Sequence, residues 1–375
     1  MSGGGTPMLQ GIRVLDLSQF IPGPYCTMLL SDLGADVVKV EPPHGDPQAT
    51  DGPLDEDGIS LWYRIINRNK RIVTLDLKSD EGRAMLRRLV AVADVLLESY
   101  RPGVLARLGF DTAELALLNG RLVHCALSGW GQSGPKRLRT GHDNNYQASM
   151  GILDVSGTLA DPVTVNPPLA DYAGALNAFA LISAALFRRE RTGQGAYIDI
   201  GMADAALALL GPEAAALAHP AYDVRRGRGP YAGGWACYNL YRCACGGHVS
   251  LGALEPRFWA NFCVAVGRLD WTPRQHEPRP QTGLIAELSA LFATHTRAEW
   301  VAALGAEDAC FHEALTLGEL ETSEQIAARA VFKRGDDGFV DVLLPAWLDG
   351  APPPERRPYI HNTVDKIADG WAAPH

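Results

Sequence analysis

The chain has 375 residues, of which 47% are hydrophobic, and its formal net charge at pH 7 is −9. A chain of this length can bury a large core and is long enough for about two domains. The acidic balance argues against a dedicated nucleic-acid-binding protein, whose electrostatic footprint would be basic. An anionic ligand therefore has to be held by a local group of basic side chains.

Neither the apolar segments nor the two ends of the chain resemble targeting or membrane elements. No apolar run approaches the roughly 20 residues that span a bilayer. Residues 1–7 lack the charged and apolar regions of a secretory signal, and residues 373–375 do not match the peroxisomal Ser-Lys-Leu address. We therefore expect a cytoplasmic protein with no membrane and no nucleic acid among its partners.

The first half of the chain alternates between strand and helix patterns. Predicted strands rich in aliphatic and β-branched residues cover 12–17, 36–41, 71–77, 94–98, 122–127 and 196–200. Helical patterns follow the first strand, follow Ser79 as an N-cap, and run over about 172–187. This alternation predicts an α/β fold with a parallel sheet covered on both faces. The first strand-to-helix turn lacks Gly-x-Gly-x-x-Gly, which argues against a nicotinamide or flavin cofactor.

The second half of the chain has a different pattern. Residues 202–220 are rich in Ala and Leu and are predicted to be helical, whereas 225–230 has the composition of an exposed linker. A hairpin is predicted over 238–251, followed by helices at about 256–266 and 297–304. These elements predict a second, smaller α+β domain.

Seven cysteines, an odd number in a chain expected to be cytosolic, indicate free thiols. One group of possible zinc ligands consists of Cys237, Cys243, Cys245 and His248. Its Cys-x-Cys spacing is not that of a zinc knuckle, and the two glycines at 246–247 are typical of a hairpin turn. We expect apolar cysteines on paired strands and no metal, with a structural zinc site as the alternative.

Several sequence words, in order, resemble the family III CoA-transferases (CaiB/BaiF-like), the superfamily that includes α-methylacyl-CoA racemase. These words lie at 11–17, 33–42, 67–78, 98–103, 128–135 and 191–195. The resemblance implies an interlocked homodimer that acts on an acyl-CoA thioester. It implies no metal or redox cofactor, and CoA itself counts as part of the substrate. It also implies a Rossmann-like large domain over 1–202, a linker over 203–237, a small domain over 238–335 and a C-terminal return over 336–375.

Three positions resemble the racemase branch of that superfamily. His142, in Gly141-His142-Asp143, matches the catalytic His that the transferases usually lack, and Asp171 matches the carboxylate that both branches use. Glu255, in the word 252–258, resembles the racemase Glu that hydrogen-bonds the catalytic His. Asp143 is expected either to take part in catalysis or to hold a neighbouring group by a hydrogen bond.

The chemistry of a thioester α-carbon agrees with such a pair. This carbon is a weak acid, so its deprotonation needs a base within hydrogen-bond reach and stabilisation of the enolate oxygen. Two bases on opposite faces can remove and return the proton. A helix N-terminus would make Asp171 too weak a base, and burial would offset that by raising its pKa. Backbone amides at a helix start or at 129–131 are candidates for binding the enolate oxygen.

The phosphates of CoA require cations, and ligands of open α/β sheets bind at strand ends. By family position we expect them at Lys70, Arg71 and Arg101, with Lys39 and Asn69 completing the set. The alternative is that the basic run at 64–71 is only a solvated face. The sequence departs from some relatives at Pro42, where they carry an Arg that contacts the nucleotide.

Three functions follow from these observations. The first is a racemase that inverts the α-carbon of an α-methyl-branched acyl-CoA through an enolate. In the second, a CoA-transferase, Asp171 attacks the thioester and CoA passes to a free acid through an anhydride. The third is a non-catalytic acyl-CoA-binding protein.

Overall fold

The computed structural model describes residues 6–219, 222–335 and 337–372. The N-terminal and C-terminal peptides in which no targeting motif is expected therefore lie largely outside the described residues. The chain divides into two compact units. The first comprises Met1–Met150, Pro167–Ala208 and Glu321–His375, and the second comprises Gly151–Asn166 and Leu209–Leu320.

The strands of the described residues are β1 (Arg13–Leu17), β2 (Asp36–Glu41), β3 (Arg71–Thr74), β4 (Val95–Glu98), β5 (Val123–Ser128), β6 (Ala196–Gly201), β7 (Tyr238–Arg242), β8 (His248–Gly252), β9 (Phe311–Ala314), β10 (Phe332–Arg334), β11 (Val340–Val342) and β12 (Ile360–His361). The α-helices are α1 (Pro22–Asp32), α2 (Leu61–Ile66), α3 (Asp80–Val92), α4 (Val104–Arg107), α5 (Thr112–Leu118), α6 (Asp143–Ser149), α7 (Ile152–Val155), α8 (Leu169–Thr192), α9 (Met202–Ala208), α10 (Gly211–Ala216), α11 (Pro256–Ala265), α12 (Thr282–Phe292), α13 (Arg297–Leu304), α14 (Glu324–Arg329) and α15 (Val364–Ala372).

The first unit is built on a parallel seven-stranded sheet in the order β12-β3-β2-β1-β4-β5-β6. Successive residues of each strand point to opposite faces, so Val14 and Leu15 belong to two different cores. On one face α1 and α8 cover the sheet, and on the other α3 and α15 do so. The predicted parallel sheet with helices on both faces is confirmed.

The C-terminal segment completes this unit. Strand β12 pairs with β3 in parallel, and α15 packs on α3. The buried guanidinium of Arg356 donates to Asp32 at the end of α1 and to Asp341 on β11. Charges buried in this way need such partners, because unpaired they would be strongly destabilising.

Helix α8 is longer than the predicted 172–187. It ends at Gly193, which has a left-handed φ of 72° and a backbone N–H that donates to the carbonyl of Arg189. By length and composition this helix could cross a membrane, although no apolar run of that length was expected from the sequence. One face of the helix lies in the core of the first unit through Ala175, Ala178 and Ile182.

The second unit contains the antiparallel sheet β7-β8-β9. The predicted hairpin over 238–251 is present as β7 and β8. The core of this unit is rich in aromatic side chains, among them Trp259, Phe262, Trp271 and Phe292. This unit includes 151–166 and 209–237, which were predicted in the large domain and the linker, whereas 203–208 and 321–335, predicted as linker and small domain, belong to the first unit. Pro212 at the start of α10 breaks the expected single helix over 202–220 into α9 and α10.

The cysteines of the possible zinc site, at the β7–β8 hairpin, are either packed in the core or hydrogen-bonded to the backbone. Cys237 and Cys243 are buried in the aromatic core, and the exposed Cys245 Sγ accepts a hydrogen bond from the backbone N–H of Arg297 at 3.4 Å. Within the described residues no group of three or more His, Cys, Asp or Glu side chains is arranged to hold a metal ion.

Candidate active site

A cavity of about 910 Å³ opens at the carboxyl ends of β1, β4 and β5 in the first unit. Its walls come from the loops that follow these strands, from the segment 136–142, from α6 and from the first turn of α8. In open parallel sheets ligands bind at this edge, because the strand ends and the loops that follow them converge there. Of the predicted site residues, His142, Asp171 and Arg101 line this cavity.

Asp171 stands in the first turn of α8. A helix N-terminus favours the ionised form of a carboxyl, whereas burial favours the neutral form. Burial and then the negative charge of Asp143 raise the pKa of Asp171 from 3.8 to about 7. At neutral pH this carboxyl can therefore both give and accept a proton, as a general acid–base group must.

Asp143 holds the start of α8 in place. Its Oδ1 accepts hydrogen bonds from the backbone N–H groups of Ala170 and Asp171 at 2.6 and 3.2 Å. Its Oδ2 accepts a hydrogen bond from the Gln147 side chain at 2.5 Å. Both oxygens are thus engaged, and two amides at the start of α8, considered from the sequence for enolate binding, already have a partner. Asp143 acts as a positioning residue for Asp171 and as a source of negative charge beside it.

His142 precedes α6 as its N-cap residue, in an extended conformation. Its backbone N–H donates to the Asn145 side chain at 3.0 Å, which fixes the turn into the helix. The imidazole is exposed to the cavity, and the edge of its ring faces Phe20 with the centroids 6.3 Å apart. The capping interactions with Asn145 thus determine the position of His142, and its imidazole lines the cavity.

Tyr146, a largely buried residue of α6, also lines the cavity. Its hydroxyl donates to the carbonyl of Gly141 at 2.7 Å, and its ring meets Trp130 edge-on at 5.1 Å. A Cβ on Gly129 would lie 2.2 Å from the Tyr146 hydroxyl oxygen, so only glycine fits there. Gly129 therefore allows the Tyr146 side chain to pack closely against the end of β5.

Two polar atoms at the cavity are buried and have no hydrogen-bond partner among the described residues. They are the hydroxyl of Ser128 and the indole Nε1 of Trp130, both on lining residues. An unpaired buried donor costs about 1–3 kcal/mol, so such groups are rare and call for a partner. Both residues contribute other atoms to the wall of the cavity, so these two donors lie just behind that wall.

A basic rim, defined here as Arg101, Lys136, Arg137 and Arg139, also lines the cavity. None of these side chains forms an ion pair with a carboxylate of the described residues. Lys136 lies over the Trp130 ring at 4.7 Å. In an otherwise acidic protein this is the local concentration of positive charge that phosphate groups require.

Four of the predicted CoA ligands have other partners. Lys39 is buried and pairs with Asp46 at 2.8 Å, and Lys70 is buried against Asp16 at 3.1 Å. Arg71 forms an ion pair with Asp36 and lies over the ring of Trp371. Asn69 adopts a left-handed φ of 66°, and its side chain accepts a hydrogen bond from the backbone N–H of Arg357 at 2.8 Å.

The structure thus gives Lys39, Asn69, Lys70 and Arg71 partners within the protein, and their contact with CoA stays a prediction. The buried members of the run at 64–71, Arg68 and Lys70, bind the C-terminal segment and the carboxylate of Asp16 on β1, whereas Arg64 and Arg71 are partly exposed. Burial lowers the pKa of Lys70 to about 8, although the Asp16 carboxylate beside it partly opposes that effect. Arg101 is the member of the predicted set that lines the cavity and has no carboxylate partner among the described residues.

Glu255 belongs to the second unit. It is the N-cap residue of α11, and its carbonyl accepts hydrogen bonds from the backbone N–H groups of Phe258 and Trp259. The hydrogen bond between its side chain and His142 stays a prediction.

A second, mainly apolar cavity of about 260 Å³ lies at the carboxyl ends of β1 and β2 in the same unit. Leu17, Val40 and Leu75 contribute apolar walls, and Pro42 lies among the lining residues. Gln19 and Tyr100 line both this cavity and the larger one, so the two adjoin.

Comparison with known proteins places the chain in a family. The model of CoA-transferase family III matches residues 9–360. The chain belongs to that family. It is 34% identical to human α-methylacyl-CoA racemase over 367 residues, which covers 96% of this chain and 92% of the relative. It is 36% identical to succinyl-CoA–D-citramalate CoA-transferase of Chloroflexus aurantiacus over 301 residues, which covers 77% of this chain and 72% of that one.

A solved structure gives the same assignment of fold. The crystal structure of a CaiB/BaiF family protein from Brucella suis superposes with a TM-score of 0.84 at 27% sequence identity, over 98% of this chain and 100% of that one. The relatives of this family III enzyme include a racemase and several CoA-transferases. Family membership is thus compatible with both reactions, and the choice between them rests on the residues of the cavity.

The sequence contained two signals of the additional site residues in this family III chain. Three of the four residues 136–139 are basic and directly precede the Gly141-His142 word, a charge pattern that marks an anion site. The sequence provided only a weak indication that Trp130 and Tyr146 belong to the site, because an aromatic residue with a polar group is commonly half-buried whether or not it lines a site. Only the fold shows that both face the cavity.

Proposed function

We propose that this family III enzyme is an α-methylacyl-CoA racemase, which inverts the α-carbon of an α-methyl-branched acyl-CoA. The observation that supports this most is the presence of His142 and Asp171 on one cavity, with the pKa of Asp171 raised to about 7. A carboxyl with that pKa is a stronger base than an ordinary aspartate, and the thioester α-proton requires one.

The proposed reaction moves one proton at a single carbon. The basic member of the pair takes the α-proton, and the electron pair of the broken C–H bond moves into the thioester to form an enolate. The other member then donates its proton to the opposite face, which restores the thioester with inverted configuration. Neutral His142 with protonated Asp171 thus exchanges with the imidazolium and the carboxylate. Glu255, if it meets the imidazole as we predict, would stabilise the charged form.

The enolate oxygen needs hydrogen-bond donors that are present before the reaction begins. Two amides at the start of α8 are engaged by Asp143, so we assign this role to the Ser128 hydroxyl and the Trp130 indole N–H. Both are buried and without a partner among the described residues. A side-chain rotation that brings either donor to the cavity surface would break no hydrogen bond to another described residue.

The rest of CoA would follow the two adjoining cavities. The basic rim would bind phosphate groups by charge-assisted hydrogen bonds. The apolar cavity beside Leu17 and Val40 would accept the adenine ring, which is planar and apolar on its faces. Gln19 and Tyr100 lie where the two cavities meet and would contact the linking part of the molecule.

The alternative is a CoA-transferase in which Asp171 attacks the thioester carbonyl. That mechanism needs an ionised carboxylate as nucleophile and gives no role to His142. The elevated pKa of Asp171 leaves much of this residue protonated at neutral pH, and a cavity with an exposed imidazole suits proton transfer better.

One experiment separates the two reactions. A single enantiomer of an α-methyl-branched acyl-CoA is incubated with the enzyme in D2O, with and without an added carboxylic acid. The racemase loses the α-proton signal in NMR and yields both enantiomers without the acid. Persistence of that signal while CoA moves to the acid would establish the transferase, and CoA binding with neither reaction would establish a binding protein.

A matched pair of variants tests the histidine. His142→Ala should abolish exchange, because one face of the carbon loses its acid–base group. His219→Ala, which removes an exposed imidazole of the second unit, should leave exchange unchanged. Full activity of a folded His142→Ala variant would remove His142 from the mechanism.

A further inference from the structure

The second unit contains a cavity of about 390 Å³ to which the proposed reaction assigns no role. All its lining residues come from the loops at 223–235 and 276–280 of that unit. Its size lies within the range of small-molecule sites, about 300–1,000 Å³.

Arg279 is the residue on which the binding properties of this cavity depend. Its guanidinium lies over the rings of Tyr222 and Trp235, 4.6 and 5.2 Å from their centroids. The Nη1 atom is buried and has no hydrogen-bond partner among the described residues, and the guanidinium forms no ion pair with them. Two aromatic rings thus hold a planar cation whose donors have no acceptor within the described part of the chain.

The two carboxylates at the cavity, those of Asp223 and Glu277, form no ion pair with Arg279. Asp223 accepts two hydrogen bonds from the Arg225 guanidinium, at 2.9 and 2.7 Å, and Glu277 accepts two from the Arg274 guanidinium, at 2.7 and 3.4 Å. Arg225 and Arg274 lie outside the lining, and both acids are neutralised from that side. Arg279 is consequently the cation of this cavity that has no described anion.

These charges favour a ligand with one negative charge. A phosphate dianion would have to approach Asp223 and Glu277, whereas a single carboxylate can pair with Arg279 in the fork geometry that a guanidinium prefers. His276 and Arg228 lie at the same cavity and can add donors. Trp235 and two prolines, Pro278 and Pro280, provide apolar surface for a carbon chain.

We propose that this cavity binds a small free monocarboxylic acid, with its carboxylate on Arg279 and its carbon chain against Trp235. The site is independent of the choice between racemase and transferase, because none of its residues takes part in either reaction as described above.

The test uses the full-length enzyme labelled with ¹⁵N and saturated with CoA, so that the basic rim is occupied. Sodium butyrate is titrated at constant ionic strength while the indole N–H resonance of Trp235 is followed, assigned with Trp235→Phe. We expect a saturable shift. Arg279→Gln should weaken binding about tenfold or more, the loss typical of a charge-assisted hydrogen bond.

Two further variants make the test specific. Arg279→Lys keeps the charge but lacks the planar fork, so it should also bind butyrate more weakly. Arg329→Gln removes another arginine that lies over a tryptophan ring, that of Trp347 at 5.3 Å, but outside this cavity. It should leave the butyrate affinity unchanged.

Four results would overturn the proposal. They are no saturable shift with butyrate, equal binding of uncharged butyramide, tighter binding of inorganic phosphate than of butyrate, and unchanged affinity in both folded Arg279 variants. None of these results bears on α-proton exchange, so the site and the reaction are tested separately.

Discussion

The elevated pKa of Asp171 depends in part on a charge that one substitution removes. Asp143→Asn replaces the carboxylate with an amide of the same shape, whose Oδ1 can still accept the hydrogen bonds from Ala170 and Asp171. The start of α8 should therefore stay in place while the negative charge disappears. The pKa of Asp171 must then fall.

The structure sets the size of this effect. Burial is the larger cause of the rise in the pKa of Asp171 from 3.8 to about 7, and the Asp143 charge is the smaller. Asp143 thus accounts for less than half of that difference. We expect its loss to lower the pKa of Asp171 by about 1 unit, which corresponds to about 1.4 kcal/mol.

The direction of the change in activity follows from the protonation states. A carboxyl with a lower pKa stays ionised at more acidic pH, so the acidic limb of kcat/KM for deprotonation by Asp171 should move to lower pH by about 1 unit. The same carboxylate is a weaker base, so the plateau rate should fall. The assay is the rate of α-proton exchange in buffered D2O across the acidic limb.

A control separates this local effect from a change in overall charge. Asp161→Asn removes one exposed carboxylate of the second unit and should leave the limb in place. If a folded Asp143→Asn variant kept the acidic limb of the unsubstituted enzyme, the Asp143 charge would have no part in setting the pKa of Asp171.

Three further predictions concern stability and binding. Because the pKa of Asp171 is higher in the folded chain than in the unfolded chain, its contribution to stability is lost as pH rises through about 7, and Asp171→Asn should therefore raise the unfolding free energy at pH 8 by roughly 1–3 kcal/mol. This gain should shrink towards pH 5 in denaturation curves, while exchange activity is abolished; equal gains at both pH values would contradict the assigned pKa. Lys70→Met should lower the unfolding free energy by about 3 kcal/mol, because Asp16 loses a buried partner, but should change the CoA affinity measured by calorimetry by no more than about threefold. Arg139→Gln should show the opposite pattern, with CoA binding weakened about five- to tenfold and stability unchanged. The reverse pattern would return phosphate binding to Lys70. Treatment with a zinc chelator should leave the melting temperature unchanged, since Cys237 and Cys243 are packed as apolar side chains, and a drop of several degrees would reveal a structural metal.

The sequence alone predicted the α/β class, six of the seven strands of the parallel sheet and the hairpin of the second unit, whereas the short strand β12 was not predicted. These elements follow from local patterns, namely runs of apolar residues, helical spacing and turn residues, which act over a few positions. Ser79 illustrates this, since its hydroxyl accepts the hydrogen bond from the Gly82 N–H at 3.0 Å that its N-cap position predicts. The words around His142 and Asp171 likewise pointed to the two groups that line one cavity.

The roles of charged side chains required the tertiary structure. Lys39, Lys70 and Arg71 have the residue types and strand-end positions of phosphate ligands, and the structure pairs them with Asp46, Asp16 and Asp36. Pairings of this kind between separate segments leave no local pattern in the sequence.

Asp143 and Asp171 show the same division between sequence and tertiary structure. The resemblance of its sequence word predicts that Asp171 is the carboxylate shared by both branches of the family, but the sequence cannot provide the pKa of this group. Only the packing of α6 against α8 buries Asp171 beside a second carboxylate and ties Asp143 to the amides of its helix. A pKa depends on solvent exclusion and on charges nearby in space, and both are properties of the folded chain.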